Sequence, residues 1–151
     1  MSLVTCHWSL AGGEIWTGVE MASKGFEHLD VYRLAEELSD AVWAIVYGWN
    51  LFARDTVGKQ LVRAADSIGA NIAEGTGRGT YKDNRHFAKI GRGSLNETRH
   101  FLRRAYRRGL VTKDQTEKLQ PIISELGPRL NGYIRSIGRS EKPGGGDENR
   151  K

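Results

Sequence analysis

The stretch Asp66-Ser67-Ile68-Gly69-Ala70-Asn71-Ile72-Ala73-Glu74-Gly75 leaves few folds open to this chain. Leu61, Ala64, Ala65, Ile68 and Ile72 recur at helical spacing and share one face. Ser67, Gly69, Ala70 and Ala73 keep the adjoining faces thin, so a second helix backbone can come close. Gly69 costs about 1 kcal/mol against Ala in a helix interior, and its use here points to packing too close for a Cβ. Asp55 or Thr56 can cap this helix, and Gly75 suits the left-handed residue that would end it after Glu74. Such a helix needs other helices to bury it.

The rest of the chain supplies them. Phe26 to Trp49 reads as a first helix with Asp30 as N-cap. Leu34, Leu38, Val42, Ile45 and Trp49 form its apolar stripe, which Trp43 and Tyr47 should widen. Asn50 to Arg54 is a short connection, and Gly75 to Gly79 a turn. Thr80-x-x-Asp83 and Thr112-x-x-Gln115 are capping boxes for the third and fourth helices. The third should bury Phe87, Ile90, Ser94, Thr98, Phe101 and Ala105, with Leu95 and Leu102 at the margin and Gly109 as its stop. The fourth buries Leu119, Ile122, Ile123, Leu126, Leu130, Ile134 and Ile137, but Pro121 and Pro128 should kink or break it. Four amphipathic segments, short turns and no strand pattern predict an all-α, antiparallel up-down-up-down four-helix bundle over residues 26–138. Residues 1–25 and 139–151 are expected to be disordered tails, and Met21 is an alternative start.

Composition narrows function. The hydrophobic fraction of 38% and charged fraction of 27% are those of a soluble globular domain. The longest apolar run, Ala41 to Tyr47, falls far short of the roughly 20 residues that span a bilayer. No Lys or Arg precedes Lys24, so a basic secretory n-region is missing. With the single cysteine, Cys6, this leads us to expect a cytoplasmic protein. Gly75 to Gly79 lacks the Gly-Lys-Ser/Thr ending of a phosphate loop and follows a helix. Glu97-x-x-His100 has no second copy of the kind a di-iron bundle requires. His28, His86 and His100 have no spaced partner, and Ser67 and Ser94 sit on small-residue packing faces. No enzyme, cofactor or metal site is expected.

One feature stands apart. Lys82, Arg85, Lys89, Arg92, Arg99, Arg103 and Arg107 fall within a sector of roughly 100° on the third helix, nearly opposite its apolar side. Solvated faces usually interleave acids for i,i+4 pairing, and this one hardly does. Lys and Arg outnumber Asp and Glu by 23 to 18, for a net charge of +5 and a pI near 9.5. The stripe therefore nominates RNA or DNA phosphates as partner, bound in a salt-dependent and poorly sequence-specific way. An acidic protein surface is the alternative, with the chain as a self-assembling adaptor. No exposed aromatics are expected to alternate with the cations, which gives base-stacking recognition of single strands less support.

Gln60-Leu61-x-Arg63-Ala64-Ala65-x-Ser67-Ile68-x-x-Asn71-Ile72-Ala73-Glu74-Gly75, followed by Gly93-Ser94-Leu95-x-Glu97, resembles the bacterial four-helix-bundle proteins encoded in intervening sequences of large-subunit ribosomal RNA genes, often labelled ribosomal-protein-like. The resemblance spans about Phe26 to Ile137 and departs from the pattern at Gly91, Arg92, Pro121 and Pro128. It implies a cytosolic bundle assembled into a ring-shaped homopentamer. A relative, the accessory variability determinant of diversity-generating retroelements, is such a basic pentamer and binds nucleic acid and a reverse transcriptase.

Overall fold

A computed structural model of the chain describes residues 25–139. The expectations for the tails, for Cys6 and for a start at Met21 lie outside those residues. A 3₁₀ turn, Phe26–His28, precedes helix α1, Asp30–Tyr47. Helix α2, Leu51–Ala53, runs through a π segment, Arg54–Gly58, straight into α3, Lys59–Gly77. Helices α4, Tyr81–Arg107, and α5, Lys113–Ser136, complete an all-α fold with no strand among the described residues.

Local chemistry sets the helix ends. Thr80 accepts a hydrogen bond from the Asp83 amide at 3.1 Å. At Thr112 the box closes both ways, Gln115 N–H to Thr112 Oγ1 at 3.1 Å and Thr112 N–H to Gln115 Oε1 at 2.9 Å. Two expected ends move. Leu29, not Asp30, caps α1, and Asp30 opens the helix, its carboxylate facing Arg129 at 3.4 Å. Asn50 caps α2 by accepting from the Ala53 amide at 3.0 Å, so the connection shrinks to Gly48–Asn50 and neither Asp55 nor Thr56 is a cap. The sequence reading missed this because a π segment breaks the 3.6-residue period by one residue.

Gly75 does not end its helix. It lies buried inside α3, which continues to Gly77, and Gly79 takes the left-handed φ of +76°. A Cβ on Gly75 would meet Asn84 Oδ1 at 2.9 Å and Phe87 Cβ at 3.0 Å, so the residue serves the close approach of α3 and α4. At Gly91 a Cβ would lie 3.2 Å from the Ile68 carbonyl oxygen. At Gly69 the nearest atom would be Tyr32 Cε2 at 3.4 Å, an ordinary contact, so Gly69 is not the tight point. Gly109, at φ +71°, ends α4 in a Schellman turn, with Leu110 N–H on the Ala105 carbonyl at 2.9 Å and Gly109 N–H on that of Tyr106 at 3.0 Å.

Helix α3 packs most extensively on α4, α1 lies against α3 and α5, and α4 touches α5 least. Leu38, Val42, Leu61, Ile68, Ile72, Leu95, Leu126 and Leu130 fill the centre. The buried face of α4 is Ala88, Gly91, Ser94, Leu95, Thr98 and Ala105, rotated from expectation. Phe87 and Phe101 are half-buried and Ile90 is exposed, because Gly91 lets α4 settle on α3 along its smallest residues. Trp43 and Tyr47 do not widen the core either; they are 60% and 70% exposed, beside Leu51 at 66% and Phe52 at 80%. Neither proline breaks α5. Both lie on its exposed side, seven residues apart, where water can reach the carbonyls they leave unbonded.

Candidate nucleic-acid interface

Helix α4 holds eight Lys and Arg residues against two acids, a net charge of +6. Lys82, Arg85, Lys89, Arg92, Arg99, Arg103 and Arg107 are all exposed. Among the described residues none of them makes an ion pair, although acids and bases pair elsewhere: Lys59 with Asp55, Arg78 with Glu74, Lys113 with Glu117, and Arg129 with Asp30 and Glu125. Of the two acids on α4, Asp83 accepts the Thr80 hydroxyl at 2.7 Å at the cap, where a negative charge suits the helix N-terminus. The other, Glu97, is exposed and joined to no cation among the described residues.

The seven cations divide into two groups. Arg85 donates to the Ile137 carbonyl, Arg92 to Asn131 Oδ1 at 3.1 Å, and Arg99 to the Ile123 carbonyl and to Asn96 Oδ1, each at 3.4 Å. From Arg85 through Arg92 to Arg99 the partners run back from Ile137 through Asn131 to Ile123, and the Tyr133 hydroxyl adds a bond to Asn84 Oδ1 at 3.2 Å. Three arginines therefore lean over the neighbouring helix instead of pointing directly away from the core. Their partners are neutral, so they keep their full charge and lose side-chain freedom. Lys82, Lys89, Arg103 and Arg107 have no such partner among the described residues.

Two aromatic residues were missed. Tyr81 and Tyr106 are 47% and 51% exposed, one at each end of the stripe. The signal was present: at about 100° per residue both fall within roughly 20° of Arg99 on the helix circumference. Aromatics therefore do accompany the cations. Arg99, Arg103 and Tyr106 also border an open cavity of about 460 Å³ between α4 and α5.

The other candidates gain no chemistry. Glu97 and His100 are exposed, and no group of three His, Cys, Asp or Glu able to hold a metal occurs among the described residues. His86 and His100 lie edge-on to Phe87 and Phe101, at 5.7 and 5.2 Å. Ser94 and Ser67 join α4 to α3 through a 3.1 Å hydroxyl contact, as packing residues do. Thr76 and Gly77 belong to α3, so the glycine-rich segment forms no phosphate loop. Burial raises the Tyr133 hydroxyl pKa, an effect the Asn84 bond partly opposes. No described helix is long and apolar enough to cross a membrane.

A family model for the 23S rRNA-intervening sequence protein matches residues 27–132. The chain belongs to that family. The match ends within α5 and so takes in the whole basic helix. A crystal structure of a protein with unknown function from the S23 ribosomal protein family of Bacteroides thetaiotaomicron is also similar. Its TM-score is 0.62 at 23% identity, covering 70% of this chain and 99% of that one. At that identity the likeness speaks for the fold alone. A comparison with curated proteins finds no match.

Proposed function

We propose that this family member is a non-enzymatic, cytosolic protein that binds the backbone of RNA or DNA through α4, from Lys82 to Arg107. One observation carries the reading: a helix of net charge +6 leaves every cation without a carboxylate among the described residues, on a chain that forms ion pairs elsewhere. Seven like charges on one helix repel one another unless a polyanion offsets them. Arginine predominates, and its planar fork suits phosphate oxygens.

Fluorescence anisotropy of labelled RNA and DNA over a salt series tests the proposal. Affinity should fall steeply with salt. Changing Lys82, Lys89, Arg103 and Arg107 to Glu should flatten the log–log slope by about one unit per lost phosphate contact. Unaltered affinity at low salt in that variant refutes backbone binding through α4. If a protein partner survives nuclease treatment in a pull-down, and the variant releases it, the acidic-partner reading takes over.

The proposal includes an up-down-up-down bundle assembled as a homo-oligomeric ring, a pentamer by family resemblance. Short connections and the opposed α4–α5 bonding order support the topology. The exposed Trp43, Tyr47, Leu51 and Phe52 support assembly, since soluble monomers seldom show so much clustered apolar surface. Trp43, Tyr47 and Leu51 line a groove of about 790 Å³ whose rim carries Arg54, Lys59 and Arg63 as well as Asp55 and Asp66. A rim of mixed sign suits another copy of the same chain. Light scattering should give a multimer that Phe52→Asp with Trp43→Asp reduces to monomer; an unchanged mass excludes this face.

A further inference from the structure

The cavity lies between α4 and α5, the more sparsely packed of the neighbouring long helices, beside the second half of the basic stripe. Leu102, Val111, Leu119 and Ile123 make an apolar floor. Leu102 and Ile123 are only half-buried, packed against the core on one side and bordering this gap on the other. Arg99, Arg103 and Tyr106 stand at the mouth, and no acid lines any part of it. On the α5 side Gln120 and Ser124 add a polar edge, the Gln120 amide donating to the Ser124 hydroxyl at 3.1 Å.

These groups select for one kind of ligand. A volume of about 460 Å³ falls in the range, roughly 300–1,000 Å³, of sites for small organic molecules. The apolar floor asks for a flat or hydrophobic body, and the half-exposed Tyr106 offers a ring to stack on. Two guanidinium groups without a competing carboxylate ask for an anion attached to that body. Arg99 is already held by Asn96 and Ile123, so little side-chain freedom remains to be lost on binding. Gln120 and Ser124 offer donors and acceptors to a heteroaromatic edge. An aromatic base carrying a phosphate meets all four requirements.

We infer that this cavity receives one unstacked nucleotide, its base against Tyr106 and the apolar floor and its phosphate on Arg99 and Arg103. The inference rests on the backbone-binding reading and deepens it. Arg99 and Arg103 belong to the stripe, so a single strand tracking the cations passes the mouth and can turn one base inward. A duplex keeps its bases stacked and cannot. Charge alone favours the duplex, whose charge density is higher, so a preference for single strands is the mark of the cavity. Stacking on an aromatic side chain is worth about 5- to 150-fold in affinity per base.

The test uses the full chain, with a single-stranded oligonucleotide, the same sequence as a duplex, and a free nucleoside monophosphate. Wild type should prefer the single strand, Tyr106→Ala should shrink that preference by fivefold or more, and Tyr106→Phe should restore it. Tyr106 is on the surface, so neither change endangers folding. Equal binding of both forms, unmoved by Tyr106→Ala but weakened by Lys82→Glu with Lys89→Glu, overturns the cavity and leaves the stripe standing. Binding of the monophosphate but of neither oligonucleotide, lost in Tyr106→Ala, makes the cavity a free-nucleotide site and overturns the stripe. Binding of nothing refutes both.

Discussion

Replacing Gly91 and Gly69 separately by alanine tests the close approach of α3 and α4, on which the orientation of the basic stripe depends. Both glycines are buried within long helices, so each alanine gains about 1 kcal/mol of helix propensity. They differ in what the new methyl meets. At Gly69 the nearest atoms are Tyr32 Cε2 at 3.4 Å and Ala35 Cβ at 3.8 Å, so the methyl fits. At Gly91 the nearest atom is the Ile68 carbonyl oxygen at 3.2 Å, with Asn71 Cβ at 3.5 Å behind it. That oxygen is part of the α3 backbone and cannot turn aside, so the two helices must move apart. Overpacking of this kind costs about 1–3 kcal/mol. Gly69→Ala should therefore stabilise by about 1 kcal/mol, and Gly91→Ala should be neutral or destabilise by up to about 2 kcal/mol. Thermal unfolding followed by circular dichroism at one protein concentration reads this as a rise of about 2–4 °C for the first and no rise for the second. If Gly91→Ala stabilises as much as Gly69→Ala, the helices are not this close and the rotation assigned to α4 is wrong.

Two further outcomes follow from side chains away from the stripe. Burial, then hydrogen bonding to Glu36 and the charges of Glu36 and Glu27, push the Tyr32 hydroxyl from 10.0 up to about 12. Because the folded value is the higher one, its contribution to stability is intact below pH 10 and is lost as pH climbs towards 12. Tyr32→Phe should lose less stability than wild type over that interval and match it in shape below; parallel curves throughout would contradict the assignment. Thr112→Ala removes the hydroxyl that accepts the Gln115 amide, leaving only the backbone half of the α5 cap box, and should cost about 1 kcal/mol, measured by urea unfolding. A cost near zero would mean that water replaces the cap.

The residues that could be read in advance are those whose role depends on one helix alone. The Thr80 and Thr112 caps, the stop at Gly109 and the Leu61–Ile72 face of α3 follow from local hydrogen bonding and a 3.6-residue period. So does the exposure of all seven stripe cations. The errors lie where a second helix decides. Gly75 satisfies every local rule for a helix stop, yet the contact with Asn84 and Phe87 explains it better. Ile90 and Phe87 have the right period for the core of α4, but the nearest surface of α3 accepts Gly91 and Ala88 instead. Pro121 and Pro128 look like breaks until their shared exposed side is known.

The stripe shows the same division. Its direction can be read from spacing, but its partners cannot, because a helical wheel gives an angle and never the atom across the gap. Ile137 just past the end of α5, and Asn131 and Ile123 within it, turn three of the seven cations into braces against that helix. That bracing bears on function. Free arginines on one helix would spread to lessen their repulsion and would have to be gathered again around a ligand. Arg85, Arg92 and Arg99 are instead held by neutral oxygens, which orient each guanidinium without cancelling its charge. Gly91 in turn sets α4 at a fixed depth against α3, so these groups sit on a rigid support. The positive charge is thus concentrated and ordered before any anion arrives, which lowers the entropy cost of binding one.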